Sequence, residues 1–513
     1  MNASWGRLSE LGANLRQGGA LEQRQASWLL ACLSRNANTS YGNRLGFAGI
    51  RSVEDFQRLV PLVTYEDLLP WITRSGQGES GVLFDGPALA FERTGGSMSG
   101  AKLLPYSARS LEDFRVAILP WLHDIIDRFG LTRGCAYWAI SPATRQPEST
   151  PGGIPVGVTD AAYLGSEAVP AFVALSAVDS DIGAVADVRD WQLLTLHALV
   201  RRVDLALISV WSPTFFLNLV GALEARADEI EKLLAEGGAV ANQRVQADEQ
   251  ALARFRAYRD NPSTNLLWPR LALVSCWADG DSRPYYDLLR TRLPHAQFQA
   301  KGLLATEGVV TVPDAEGRPV LAGDSGFFEF LDVAGRCLLP GELRAGERYE
   351  VVMTTSGGLY RYRIGDLVEC EASHGAAGPV LRFIGRAGLS SDLVGEKLSE
   401  QFVAECLASL TGFRMLVRAA GPQPGYALVV DRLQIGEAAD LAEVVERRLS
   451  VNPQYEYARR MGQLRPLSVY CVEDPLNRYV HHAMGARARI GDLKIPVLRR
   501  EGGLLDIFLG SAQ

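Results

Sequence analysis

Apolar positions recur every three to four residues through 21–34, 110–129, 190–203, 214–235 and 248–259, the period of helices with one buried face. Between them lie short runs rich in β-branched and aromatic residues, at 135–140, 205–210, 271–276, 326–331 and 349–354, which predict buried strands. Helix and strand alternate, so the pattern predicts a layered α/β protein with an at least partly parallel sheet. After a further strand at 380–384 come Gly385, Arg386 and Gly388, then a polar stretch, then a helix from about Ser399. This change of character predicts a hinge. Strands at 415–419, 426–430 and 467–472, with helices at 441–449 and 453–461, then predict a smaller α+β domain. We place the domains at 1–390 and 391–513.

Composition narrows the function. A chain of 513 residues with 47% hydrophobic and 22% charged residues is ordinary globular material, and no repeat or low-complexity tract interrupts it. With 52 basic against 59 acidic residues the net charge is -7, which gives no cationic field for nucleic acid or an anionic membrane. No window approaches ~18 uncharged apolar residues, so neither a signal peptide nor a membrane span is expected. The seven cysteines are scattered and form no CxxC, which suggests neither a disulfide frame nor a zinc site; a cytoplasmic, reducing location is expected.

Lysine occurs only at Lys102, Lys232, Lys301, Lys397 and Lys494, among 52 basic residues. Where any surface cation serves, this chain uses arginine. A retained lysine is either chance or a place that needs a compact ammonium.

Three local patterns carry chemistry. The first is Thr94-Gly95-Gly96-Ser97-Met98-Ser99-Gly100 followed by Lys102. Such a loop turns backbone N–H groups and hydroxyls toward phosphate oxygens, or is simply a flexible turn. Leu103 stands where a Walker A loop needs Ser or Thr, so it is not of that type. The second is Thr306-Glu307 after Leu303 and Leu304; taken alone it reads as a helix N-cap with its first-turn acid. The third is Tyr360-Arg361-Tyr362-Arg363-Ile364-Gly365-Asp366, either a strand that presents a carboxylate at its end for two ribose hydroxyls or an ion-pair ladder.

In this order, and with Trp268-Pro269, Phe328-Glu329-Phe330, Gly395-Glu396-Lys397 and Asn452 through Leu467 between and after them, the patterns resemble the GH3 acyl acid amido synthetases of the adenylate-forming superfamily, here read as of bacterial type. The resemblance spans roughly 55–500. It implies a large N-terminal adenylation domain, a smaller mobile C-terminal domain, and a two-step reaction. A carboxylic acid attacks ATP to give an acyl adenylate and pyrophosphate, and an amine or amino acid then displaces AMP.

It further implies ATP and Mg²⁺ as cofactors. Thr94 to Gly100 and Lys102 would hold phosphate, Ala278, Asp279 and Gly280 the adenine, Thr306 the adenylate, Asp366 the ribose and Glu307 the metal. Arg386 would also contact the nucleotide, Lys397 its phosphate beside the hinge, and Lys494 would swing in for adenylation. Tyr137, Trp138, Trp211, Phe215 and Trp277 are candidates for an acyl pocket, and equally for ordinary core. His481 and His482, expected in a loop, are candidate bases or exposed residues.

The chain departs from the family pattern at Gly95 and Met98, and at Leu303 and Leu304, where an aromatic usually precedes Thr-Glu. Two other readings are a ligase that passes the acyl group to a thiol, of coenzyme A or a carrier protein, and a catalytically silent acyl-nucleotide binder.

Overall fold

The structure is a computed structural model that describes residues 2–93, 102–139, 148–158, 160–279, 282–374, 378–386, 390–410, 412–431, 438–484 and 497–510. The chain divides into two compact units, one of Met1–Arg93 and Leu103–Gly385 and a smaller one that takes in Arg386–Gln513.

A four-stranded parallel sheet runs through the larger unit in the order Gln297–Ala300, Leu273–Cys276, Leu205–Ser209, Cys135–Trp138. Helices Val188–Arg201, Pro213–Ala225 and Arg283–Arg292 lie in the connections between successive strands of this sheet, the crossover a parallel pairing needs. Strands Cys135–Trp138 and Leu273–Cys276 are buried along their whole length, as a sheet covered on both faces requires. Register decides what faces what. Trp138, Ser209, Ser275 and Gln299 stand in one row across the sheet, while Tyr137, Ile208, Val274 and Phe298 form the next row on the opposite face.

A second sheet has seven strands in the order Thr311–Pro313, Pro319–Leu321, Gly378–Arg386, Tyr362–His374, Arg348–Thr354, Phe327–Leu331, Cys337–Leu338. It shares one core with the N-terminal helices through Leu29, Phe47, Phe56, Phe328, Val351 and Tyr360, all at most 1% exposed. A third sheet contains the hairpin Ala90–Arg93 with Leu103–Tyr106, in which Arg93 faces Leu103.

The smaller unit is α+β. Its sheet runs Ser468–Val472, Tyr426–Asp431, Arg414–Arg418, Leu498–Arg499, packed by helices that include Glu400–Cys406, Ala438–Leu449 and Pro453–Arg460. Ser399 caps the first of these helices by accepting from Phe402 N.

Two expectations fail here. The helix expected at 214–235 is two helices, Pro213–Ala225 and Ala227–Glu236, because Arg226 leaves helical geometry (φ -121°, ψ 24°) to bury its guanidinium against Glu229 and the Arg189 carbonyl. His481 and His482 lie on helix Pro475–Met484 rather than in a loop, and His482 is exposed.

Candidate functional site

Of the residues expected at phosphate, Thr94, Gly95, Gly96, Ser97, Ser99 and Gly100 lie outside the described residues, as do Gly280 and Lys494. The ends of the loop are described: Arg93 and Leu103 are cross-strand partners, and Lys102 immediately precedes the second strand, half-buried.

Thr306 and Glu307 do not cap a helix. They are the two-residue turn of a β-hairpin in which Ala305 faces Gly308 and Leu304 faces Val309. The apolar Val309-Val310 that follows favours extension over a helical turn. Three contacts hold this turn. Tyr106 Oη donates to the Thr306 carbonyl, Thr311 Oγ1 accepts from Leu303 N at 2.7 Å, and Gly308 lies so close to Met353 that a Cβ there would come within 2.6 Å of its methyl. Gly302 is equally constrained, since a Cβ would meet the Thr311 carbonyl oxygen at 2.1 Å. Burial pushes the Tyr106 hydroxyl well above the usual tyrosine range, and the nearby Tyr163, Glu92 and Glu307 push the same way. Glu92, whose carboxylate accepts from Val158 N at 2.7 Å, thus lies close to Tyr106, as Glu307 does, and two residues before Thr94; the sequence reading gave it no role.

The tyrosine and arginine run divides its labour. Tyr360 is fully buried, stacks on Tyr41 at 5.6 Å and donates to the Leu83 carbonyl. Arg361 has positive φ (50°) and makes a buried two-pronged pair with Glu329, both bonds at 2.9 Å; Arg363 pairs likewise with Glu350 at 3.0 and 2.7 Å. So Arg363 pairs with the neighbouring strand Arg348–Thr354, while Arg361, just before its own strand, reaches past that neighbour to Glu329, and this second pair is buried.

Asp366 is not at a strand end. Strand Tyr362–His374 continues past it, and the carboxylate sits in a bulge. Val352 pairs with Arg363 but Glu350 with Leu367, so three residues of one strand face Val351 alone, and Gly365 takes φ 80°. The bulge re-aims a side chain that regular pleating would fix, and Asp366 is 3% exposed. A second cluster of hydroxyls and glycines just upstream, Thr354-Thr355-Ser356-Gly357-Gly358, escaped the sequence reading. Asp113 accepts from Ser356 N (2.9 Å) and Ser356 Oγ (3.2 Å), and burial raises its carboxyl to about 7.

Ala278 is buried, and Asp279 lies against Phe383; burial pushes the Asp279 carboxyl up to about 6, opposed by Arg382. Arg386 ends strand Gly378–Arg386.

The aromatic candidates separate. Trp138, Trp211 and Trp277 lie at or just beyond the carboxyl ends of their parallel strands, and Trp277 N donates to the Trp211 carbonyl. Tyr137 does not join them, because alternate residues face opposite sides of a sheet; it packs on Phe216. Phe215 is core against Trp191.

In the smaller unit Lys397 is half-buried with φ 48°, a conformation that costs a non-glycine residue of the order of 1 kcal/mol or more. Its neighbour Glu396 explains how this is held. The Glu396 carboxylate, fully buried, accepts from Leu393 N (2.7 Å), Val394 N (2.8 Å) and Tyr426 Oη, while Asn452 Nδ2 donates to the Glu396 carbonyl at 3.0 Å. Burial first, then Asp392, raises the Glu396 carboxyl to about 7.

Comparison with known proteins gives these pieces a frame. Residues 17–298 match the GH3 family N-terminal domain and residues 319–386 the GH3 family central domain. A probable indole-3-acetic acid-amido synthetase of Oryza sativa subsp. japonica is 25% identical over 93% of this chain and 87% of its own length. A jasmonoyl-L-amino acid synthetase of Nicotiana attenuata is 24% identical over 92% and 90%. Among solved structures, an acyl acid amido synthetase in complex with 2,4-DB superposes with a TM-score of 0.66 at 20% identity, over 98% of this chain and 95% of that one. A 2-hydroxyisobutyryl-CoA ligase with its acyl adenylate and CoA gives 0.54 at 14% identity, over 99% and 92%; at these identities both likenesses concern the fold. Both GH3 domains are matched, in chain order and over more than half of the length, and the chain belongs to the GH3 family.

Proposed function

We propose that the protein is an ATP-dependent acyl acid amido synthetase. It activates a carboxylic acid as the acyl adenylate with release of pyrophosphate, then transfers the acyl group to an amine or amino acid with release of AMP. The observation that carries this reading is GH3 membership over both domains; it is consistent with Thr306 and Glu307 sharing a hairpin turn and Asp366 lying in a strand bulge.

The roles proposed for the residues are those the family resemblance implies. Asp366, re-aimed by its bulge, takes the ribose hydroxyls, and the Thr306 hydroxyl contacts the adenylate. Asp279 and Ala278 border the adenine, and the Thr94–Lys102 loop, Arg386 and Lys397 meet phosphate. Lys494 serves adenylation. No group of three or more His, Cys, Asp or Glu residues that would cage a metal occurs among the described residues. Magnesium needs only one or two carboxylates when phosphates supply the rest. Glu307 would hold the ion, whose contribution is to neutralise charge on the leaving pyrophosphate. No described helix is long and apolar enough to cross a membrane. All seven cysteines are free, which suits the cytoplasmic location we propose.

The test is exchange of labelled pyrophosphate into ATP by the purified protein with Mg²⁺ and a panel of acids. Exchange that requires an acid supports the reading; exchange without acid, or ADP as product, overturns it. Exchange followed by transfer only to coenzyme A or a carrier-protein thiol would replace the amine acceptor.

A further inference from the structure

Three of the five lysines have been given phosphate roles, and Lys232 is exposed on helix Ala227–Glu236. Lys301 is different. It is 9% exposed and immediately follows strand Gln297–Ala300, at the carboxyl end of the parallel sheet, the edge at which open α/β sheets bind ligands.

The row next to it is polar where a doubly covered parallel sheet is normally apolar. Trp138, Ser209, Ser275 and Gln299 share one face. Gln299 Oε1 is used, accepting from Trp121 Nε1 at 2.9 Å. Lys301, two residues beyond Gln299, donates to Ser209 Oγ at 2.9 Å, and so spans the intervening strand Leu273–Cys276. Its Nζ stands 4.7 Å from the ring centre of Trp121 and 5.6 Å from that of Trp211. Beside it, Ser275 Oγ and Trp138 Nε1 are buried and have no hydrogen-bond partner among the described residues. Buried polar groups left without partners cost stability. Their concentration in one row is what a site for an anionic oxygen requires. Trp211, just beyond the row at the strand's carboxyl end, is 55% exposed.

We propose that this row is the anion-binding end of the acyl site: Lys301, with Ser209, Ser275 and Trp138, receives an anionic oxygen of the acid, and the indoles of Trp121 and Trp211 cover it. The inference rests on the acyl acid reading and adds to it a specificity-determining residue. A compact ammonium offers the anion a point charge with rotatable donors where arginine presents a fixed planar fork, which suits a lysine in an arginine-rich chain.

The test compares wild type with Lys301→Met, which keeps length and removes charge, and with Ser275→Ala. Exchange of pyrophosphate is measured with monocarboxylates (benzoate, phenylacetate, hexanoate) and dicarboxylates (isophthalate, adipate). In Lys301→Met the KM for acid should rise about tenfold or more with the KM for ATP unchanged. A rise with every acid assigns the row to the reacting carboxylate; a rise confined to dicarboxylates assigns it to a second anionic group. An unchanged acid KM, or acid and ATP KM rising together, overturns the proposal. Should wild type exchange with none of the acids, the functional reading fails, and tryptophan fluorescence decides the site by itself. Saturable quenching by these acids that Lys301→Met abolishes supports it, and no quenching in wild type overturns it.

Discussion

Replacing Arg361 by methionine probes the stability that the tyrosine and arginine strand provides. The Arg361 side chain makes four hydrogen bonds, two to Glu329 and one each to the carbonyls of Gln57 (2.7 Å) and Val60 (2.8 Å), with both partners of the ion pair buried at 7% and 1% side-chain exposure. Removing it leaves a carboxylate in the core whose other side-chain donor is Gln57 Nε2 at 2.9 Å. Breaking a buried pair from one side costs roughly 3–5 kcal/mol, two to four orders of magnitude in the folding equilibrium. Arg318→Met, at a surface pair with Asp314, should cost under about 1 kcal/mol. Urea unfolding followed by near-ultraviolet circular dichroism measures both. Arg361→Met/Glu329→Leu should recover much of the loss. A deficit for Arg361→Met no larger than that for Arg318→Met would refute the argument.

Glu307→Gln should depress pyrophosphate exchange and raise the magnesium needed, with the unfolding midpoint unchanged; equal magnesium dependence would move the ligand elsewhere. Gly302→Ala, which collides with the Thr311 backbone, should displace the Thr306–Glu307 turn and lower exchange at least tenfold, whereas Gly365→Ala meets open space and should cost about 1 kcal/mol of conformational strain; unfolding curves and exchange rates on both variants check this. Glu396 titrates at about 7 in the folded protein against about 4.3 unfolded, so the folded state binds its proton more tightly between those values. Its contribution to stability should therefore fall as pH rises from about 4.5 to 7, and Glu396→Gln should remove that slope; identical slopes in both proteins would contradict the burial argument.

The periodicities showed the parallel sheet and the α+β unit because both report burial on one face or on two. Boundaries failed where one side chain overrode the pattern: Arg226 breaks a continuous apolar stripe to bury its own guanidinium. Thr306-Glu307 looked like a cap because capping and turn residues are the same small polar set, and the cross-strand partner that decides between them is set by tertiary register. The bulge at Asp366 was equally illegible, since it depends on Glu350 and Val352 in another strand. Lys301 was marked by composition alone. Its two indole neighbours come from positions 121 and 211, a juxtaposition that only the fold reveals.

The most direct measurement of the central claim is product analysis. The 513-residue protein is incubated with ATP, Mg²⁺, a panel of carboxylic acids and a mixture of amino acids, and the products are resolved by mass spectrometry. The account predicts AMP and an N-acyl amino acid in equal amounts, both absent when the acid is withheld. ADP in place of AMP, or no amide with any acid while ATP is bound, would contradict it.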